Sequence, residues 1–160
     1  MTEPVPFAAY TRRVRDEWVD YNGHLADWAY SVVCAEANEV FLDHLGVSAS
    51  YRERTGCTTY TVESHLRYLA EVRAGAVLRA ETVLVGADAK RLRVHTAVLD
   101  EQGGEVLTGE YLFLHVDQAA GRVVPFPPDR AEAVERVRLA HAGWPRPPHL
   151  GVAIAVPPPS

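Results

Sequence analysis

The sequence predicts an α+β domain in which an antiparallel sheet of about five strands wraps around one long central helix. Three observations carry this expectation. An apolar stripe at helical spacing runs over residues 27 to 45, a strand-like run precedes it, and four or more strand-like runs divided by turn residues follow it.

Taken in order, Phe7 to Trp18 reads as the first strand, with Ala9, Thr11, Arg13 and Arg15 alternating imperfectly with Tyr10, Arg12 and Val14. The helix is expected from Asp27 to Leu45, because Tyr30, Val33, Cys34, Ala37, Val40, Phe41 and Leu45 fall at steps of three and four. Asp27 suits its N-terminus and Gly46 its stop. Small residues Ala26, Ala29, Ala35 and Ala37 let a sheet come close. An irregular stretch is expected through Gly56, then strands over Thr58 to Leu69, Val77 to Val85, Arg91 to Asp100 and Glu105 to Asp117. Gly86 to Ala89 and Gln102-Gly103-Gly104 supply turns, and Arg122 to Val124 reads as a short return strand. Pro127-Pro128-Asp129 opens a second helix running from Arg130 to about His141. Residues 1–143 are therefore read as one domain. Residues 144–160, with six prolines and an apolar patch from Leu150 to Val156, form a tail that drapes over the body or a neighbour, or stays loose.

Composition narrows the function. A chain of 160 residues is long enough for a core without staples, and 48% hydrophobic with 23% charged residues is ordinary for a globular protein. A net charge of -5 with no dense Lys/Arg block argues against nucleic acid. No apolar run approaches the roughly 20 residues of a membrane span, and the N-terminus lacks a signal-like core, so a cytoplasmic setting is expected. Cys34 and Cys57 have no metal or redox spacing, and His44, His95, His115, His141 and His149 fit no ligand motif. Neither a phosphate loop, nor GxGxxG, nor a GxSxG elbow is present. No metal or bound cofactor is expected.

The densest chemistry lies in Asp20-Tyr21-Asn22-Gly23-His24, between the first strand and the long helix. A carboxylate, a carboxamide, a permissive glycine and an imidazole stand at the mouth of a helix, whose free N–H groups and dipole favour developing negative charge. A carboxylate there suits a base or a nucleophile while the helix polarises a carbonyl. The structural alternative is that Asp20 merely caps the helix and that Asn22-Gly23 merely turns the chain.

That element order, with this motif at the strand-to-helix junction, resembles the hotdog-fold acyl-CoA thioesterases, in the branch of 4-hydroxybenzoyl-CoA thioesterase. Asp20, Gly23, His24 and Tyr30 match the family pattern, and the likeness covers about residues 8 to 125. A narrower similarity to the thioesterases of carnitine breakdown, which hydrolyse betainyl-CoA, rests on Asp20 to His24, Tyr60 to His65, Gly86 to Leu92 and Leu114 to Arg122. Ala26 departs from that pattern, standing where a polar Asn is common.

The resemblance implies a homodimer or homotetramer with active sites at the interface and an acyl-CoA substrate. It makes Asp20 the base or nucleophile and places the oxyanion-polarising N–H near Asp27. Gly23 admits substrate to the backbone, and His24 positions water, contacts the acyl group or holds the loop. Glu63, on a strand face expected to hold Thr59, Thr61, His65 and Arg67, is either a second acid at the interface, orienting water or countering a cationic acyl group, or an exposed partner of Arg67. Trp18, Tyr21 and Trp28 gather around Asp20, where aromatic faces suit a quaternary ammonium; Tyr30 and Tyr68 read as core. Lys90 and Arg91, with Arg93, are set near the CoA phosphates, in competition with Arg52, Arg54 and Arg67. The rival functions are a hotdog hydratase or dehydratase and a non-catalytic acyl-CoA-binding dimer.

Overall fold

The computed structural model describes residues 5–155; residues 1–4 of the N-terminus, and Val156 with the prolines at 157–159 counted above in the tail, lie outside the described residues. Six strands build one antiparallel sheet: β1 (Phe7–Arg13), β2 (Cys57–Tyr68), β3 (Val77–Ala87), β4 (Arg91–Leu99), β5 (Glu105–Asp117) and β6 (Arg122–Val123). The order is β1-β3-β4-β5-β2, with β6 pairing the end of β5. The helices are α1 (Asp27–His44), α2 (Ala49–Thr55) and α3 (Pro128–His141).

The sheet curls around α1, whose inward face buries Ala29, Tyr30, Val33, Cys34, Ala37, Asn38, Phe41 and Leu42. These meet Leu78, Leu84, Leu92, Val94, Val98, Leu107 and Phe113 from the sheet. Fully buried Phe41 and Leu45 each contribute about 2 kcal/mol by leaving water. Ala29 and Ala37 let helix and sheet approach, as the sequence anticipates, whereas Ala35, expected to do the same, is on the exposed side of α1. The one buried amide on this face is satisfied: Asn38 Oδ1 accepts from Thr96 Oγ1 at 2.8 Å, and Thr96 Oγ1 lies 3.2 Å from Thr82 Oγ1.

Three expectations are corrected. The first strand stops at Arg13, because Val14 turns its hydrogen bonds to the β2–β3 connection (Val14 N to Ala76 O, 2.8 Å; Gly75 N to Val14 O, 2.9 Å). Asp16–Trp18 then forms a 3₁₀ turn. The stretch before Gly56 is not irregular but contains α2, started by Ser48 in extended conformation and ended by Gly56 at φ 72°.

The third correction concerns the faces of β2. The register with β5 slips between Thr61 and Glu63, so Val62 is an extra residue in the ladder. A one-residue bulge exchanges the two faces beyond it. Thr61 stands opposite core residue Phe113, whereas Glu63, His65 and Arg67 stand opposite Leu112, Glu110 and Thr108 on the outer face. Thr59 and Thr61 therefore share their face with Ser64, Leu66 and Tyr68, not with Glu63.

The start of the tail passes the β3 segment that extends beyond β1. His141, at the end of α3, accepts the Leu84 N–H at Nδ1 (3.0 Å), and Trp144, Pro145, Pro147 and Leu150 close over Val83 and Val85. Gly151 N then donates to Glu110 Oε2 at 2.7 Å on the outer face. From Trp144 to Ala153 the tail lies against the body of its own chain.

Candidate active site

The loop between the 3₁₀ turn and α1 is a small clasp. Val19 and Leu25 form an isolated antiparallel bridge, Asp20 N donates to His24 O (2.9 Å), and Gly23 N donates to Asp20 O (3.0 Å). Gly23 takes φ 81°, a conformation that Cβ disfavours elsewhere, so the tightness of the turn depends on it. The base of the clasp is fixed on both sides, by Ala26 N to Trp18 O (2.8 Å) and by Leu25 N to Val72 O (2.7 Å). Leu25 and Trp18 are buried beneath it.

This clasp holds the Asp20 carboxylate in place. Oδ1 accepts the Asn22 backbone N–H at 2.8 Å, and Oδ2 the Asn22 carboxamide at 3.3 Å. Asp20 does not cap α1, whose N-cap is Ala26; it organises the turn instead, and it also faces a groove of about 680 Å³. The groove is lined by Asp20, Asn22, His24, Asp27, Tyr30 and, from the end of β2 and beyond, Tyr68 to Glu71.

The mouth of α1 faces the same groove. Trp28 N donates to Asp27 Oδ1 (2.7 Å), and Ala29 N and Tyr30 N both donate to Ala26 O (2.9 and 3.4 Å). Among the described residues the Asp27 N–H has no acceptor, leaving one donor at the positive end of the helix dipole. Tyr30 is tied down, its hydroxyl donating to Ala70 O at 2.9 Å while burial raises its pKa. His24 Nε2 lies 3.3 Å from Glu71 Oε2 at the rim.

The structure disperses several of the other candidates. Trp18 lies in the core with the Arg12 and Arg15 guanidiniums 5.3 and 5.2 Å from its ring centre, and it does not line the groove. Tyr21, 97% exposed, is at the tip of the clasp, and Trp28 is on the exposed side of the first helical turn. Glu63 and His65 line a separate cavity of about 410 Å³ on the outer face, with Arg93, Glu110 and Gly151. Lys90 and Arg91 follow the β3–β4 turn, where Asp88 accepts both their backbone N–H groups and pairs with Arg91. Arg91 pairs with Leu114, which pairs with Tyr60, so these cations sit at the end of the sheet opposite Tyr68. Roughly 25 Å of strand separates the two ends.

Sequence reasoning missed Leu69, Ala70 and Glu71 as lining residues and placed Tyr68 in the core, though 53% of it is exposed. Their place depends on docking of the β2–β3 connection against the clasp through Leu25 and Val72, a contact that leaves no local pattern. Cys34 packs as a small apolar residue, and burial pushes its thiol up to about 11. No group of three or more His, Cys, Asp or Glu side chains suited to a metal ion occurs among the described residues.

A sheet curled around a long helix is the hotdog fold, and here a carboxylate and a helix N–H without an acceptor share one groove on it. Residues 14–134 match the Thioesterase-like superfamily, and the chain belongs to it. It is 45% identical over 149 residues to the L-carnitine dehydrogenase/betainyl-CoA thioesterase of Agrobacterium fabrum, covering 93% of this chain and 30% of that longer protein. It is 37% identical over 150 residues to the betainyl-CoA thioesterase of Pseudomonas aeruginosa, covering 93% of this chain and 94% of that one. Among solved structures, the SAV2348 protein of Staphylococcus aureus in complex with CoA superposes with a TM-score of 0.90 at 25% identity, covering 98% of this chain and all of that one.

Proposed function

We propose that this chain hydrolyses betainyl-CoA, with water, to glycine betaine and free CoA. The observation that carries the reading is the pairing of the Asp20 carboxylate with the open Asp27 N–H in one groove. A thioester carbonyl lying between them has its oxygen polarised by the N–H and its carbon open to attack. Asp20 either takes a proton from the attacking water and passes it to the departing thiolate, or attacks directly to give an anhydride with loss of the thiolate, which takes its proton from solvent before water opens the anhydride. The relatives named for betainyl-CoA supply the choice of acyl group.

The proposed working unit is a homodimer. Among the described residues β2 pairs only with β5, and it carries exposed Tyr60, Val62 and Tyr68, with Leu69 just beyond it. A long edge strand with unpaired backbone groups and exposed apolar side chains favours pairing with another strand. Two-fold antiparallel pairing of β2 with its own copy would bring the Tyr68 end of one chain beside the Tyr60 end of the other. Lys90 and Arg91 of the partner subunit would then stand near the groove, where CoA phosphates need positive charge. Glu63, near the middle of β2, would lie at the join. The proposed setting is the cytoplasm; both cysteines are free, as suits a reducing compartment, and no helix of the described residues is long and apolar enough to cross a membrane.

Thiol release measured across betainyl-CoA, acetyl-CoA, a medium-chain acyl-CoA and a hydroxybenzoyl-CoA tests the reading. The expected result is a clear preference for betainyl-CoA. Preference for another ester would discard the betaine assignment, and tight CoA-ester binding without release would replace hydrolysis by binding.

A further inference from the structure

The groove beside Asp20 carries more negative charge than thioester hydrolysis needs. Its lining includes three carboxylates, those of Asp20, Asp27 and Glu71, one imidazole, and no lysine or arginine. Asp20 is held by Asn22 for chemistry, and the Asp27 carboxylate is engaged by the Trp28 N–H. Glu71 has neither task. Its side chain is 78% exposed, and its one charged contact is His24 Nε2 at 3.3 Å.

Beside Glu71 in the lining stands Tyr68, half exposed and edge-to-face with Tyr30 at 5.4 Å and 88°. One ring of such a pair keeps both faces clear of the other. A quaternary ammonium has no N–H to donate, so hydrogen-bond acceptors do not select it. What selects it is a ring face together with an anion nearby. The same carboxylates repel an acyl group that ends in a carboxylate. Glu63, Tyr21 and Trp28, the sequence candidates for this task, do not line the groove.

We infer that Glu71 is a specificity-determining residue which, with Tyr68, selects acyl groups bearing a fixed positive charge. The inference rests on the reading of this groove as the acyl site of a thioesterase. It assigns the recognition of charge to the connection after β2, in the same chain as Asp20, rather than to the outer face of β2.

The test compares betainyl-CoA with 3,3-dimethylbutanoyl-CoA, which has the same shape with carbon in place of the charged nitrogen. The wild-type protein should favour the cationic ester in kcat/KM. In Glu71→Gln that preference should fall about two- to fivefold, mainly through KM, as expected for one largely exposed charge contact. Glu71→Lys should lower it further; Tyr68→Leu should lower it, and Tyr68→Phe should retain it. Circular dichroism and light scattering establish that each variant keeps fold and assembly. An unchanged ratio in both folded Glu71 variants overturns the inference while leaving the thioesterase standing. Absence of thiol release from either ester by the wild type, or full release by Asp20→Asn, overturns the reading of the groove and the inference with it.

Discussion

Asp20 holds its turn with the same side chain that is proposed to act on the thioester, and the residues around it show how the two are compatible. Its bond to the Asn22 N–H closes the turn, while Gly23 supplies the positive φ that brings His24 O back to the Asp20 N–H. A Cβ at Gly23 meets nothing within 4 Å, so the cost of a substitution there is conformational and not steric. Gly23→Ala should therefore lower stability by about 1–2 kcal/mol, read by urea denaturation, without unfolding the protein at room temperature. Thiol release should fall with it, because the strained turn carries the carboxylate. The residues of this clasp were legible in the sequence because they act on one another within five positions. Tyr68 and Glu71 reach the same groove only through the tertiary contact of Leu25 with Val72, and nothing local announces them.

Among the elements, α1 and the strands after it announced themselves by periodicity, since a helix or strand with one buried face must repeat its apolar residues. The bulge at Val62 did not. The segment Thr58 to Tyr68 alternates about equally well with or without an extra residue, and only the pairing with β5 decides which face Glu63 takes. α2 is short and exposed apart from Tyr51, so it carries no stripe to read. The third helix contributes a buried acceptor instead of an apolar anchor alone. Its His141 accepts the Leu84 N–H, and burial, with a smaller effect of His44, pushes its pKa below the usual value. The neutral ring is the form the fold prefers. Its contribution is complete above about pH 6.5 and is lost as pH falls through the depressed value in the folded state. His95, also lowered by burial, acts in the same direction. Denaturation midpoints should drop between about pH 7 and about pH 5. The drop should be smaller in His141→Gln, whose amide oxygen can take the same N–H. An equal drop in both proteins would remove His141 from the explanation.

For the whole molecule, the two faces and the free edge of the sheet have different fates. The inner face is filled by α1, part of the outer face is crossed by the tail, and the β2 edge is left open. Leu150 is the tail's buried anchor, in a cavity with Val83, Val85 and Trp144. Leu150→Ala should cost roughly 2 kcal/mol and lower the melting temperature. The edge makes the opposite demand. Val62→Lys puts a charge in the middle of it, and light scattering should then report a monomer with thiol release lost; a dimer of full activity would move the interface elsewhere. Above all these stands the claim that Asp20 works on betainyl-CoA. Asparagine at position 20 keeps an oxygen for the Asn22 N–H and removes only the carboxylate. The most direct measurement is kcat/KM for betainyl-CoA in the wild type and in Asp20→Asn, with the products identified as glycine betaine and CoA. A fall of at least about a hundredfold in a folded variant is the expected result. Undiminished hydrolysis by that variant would contradict it.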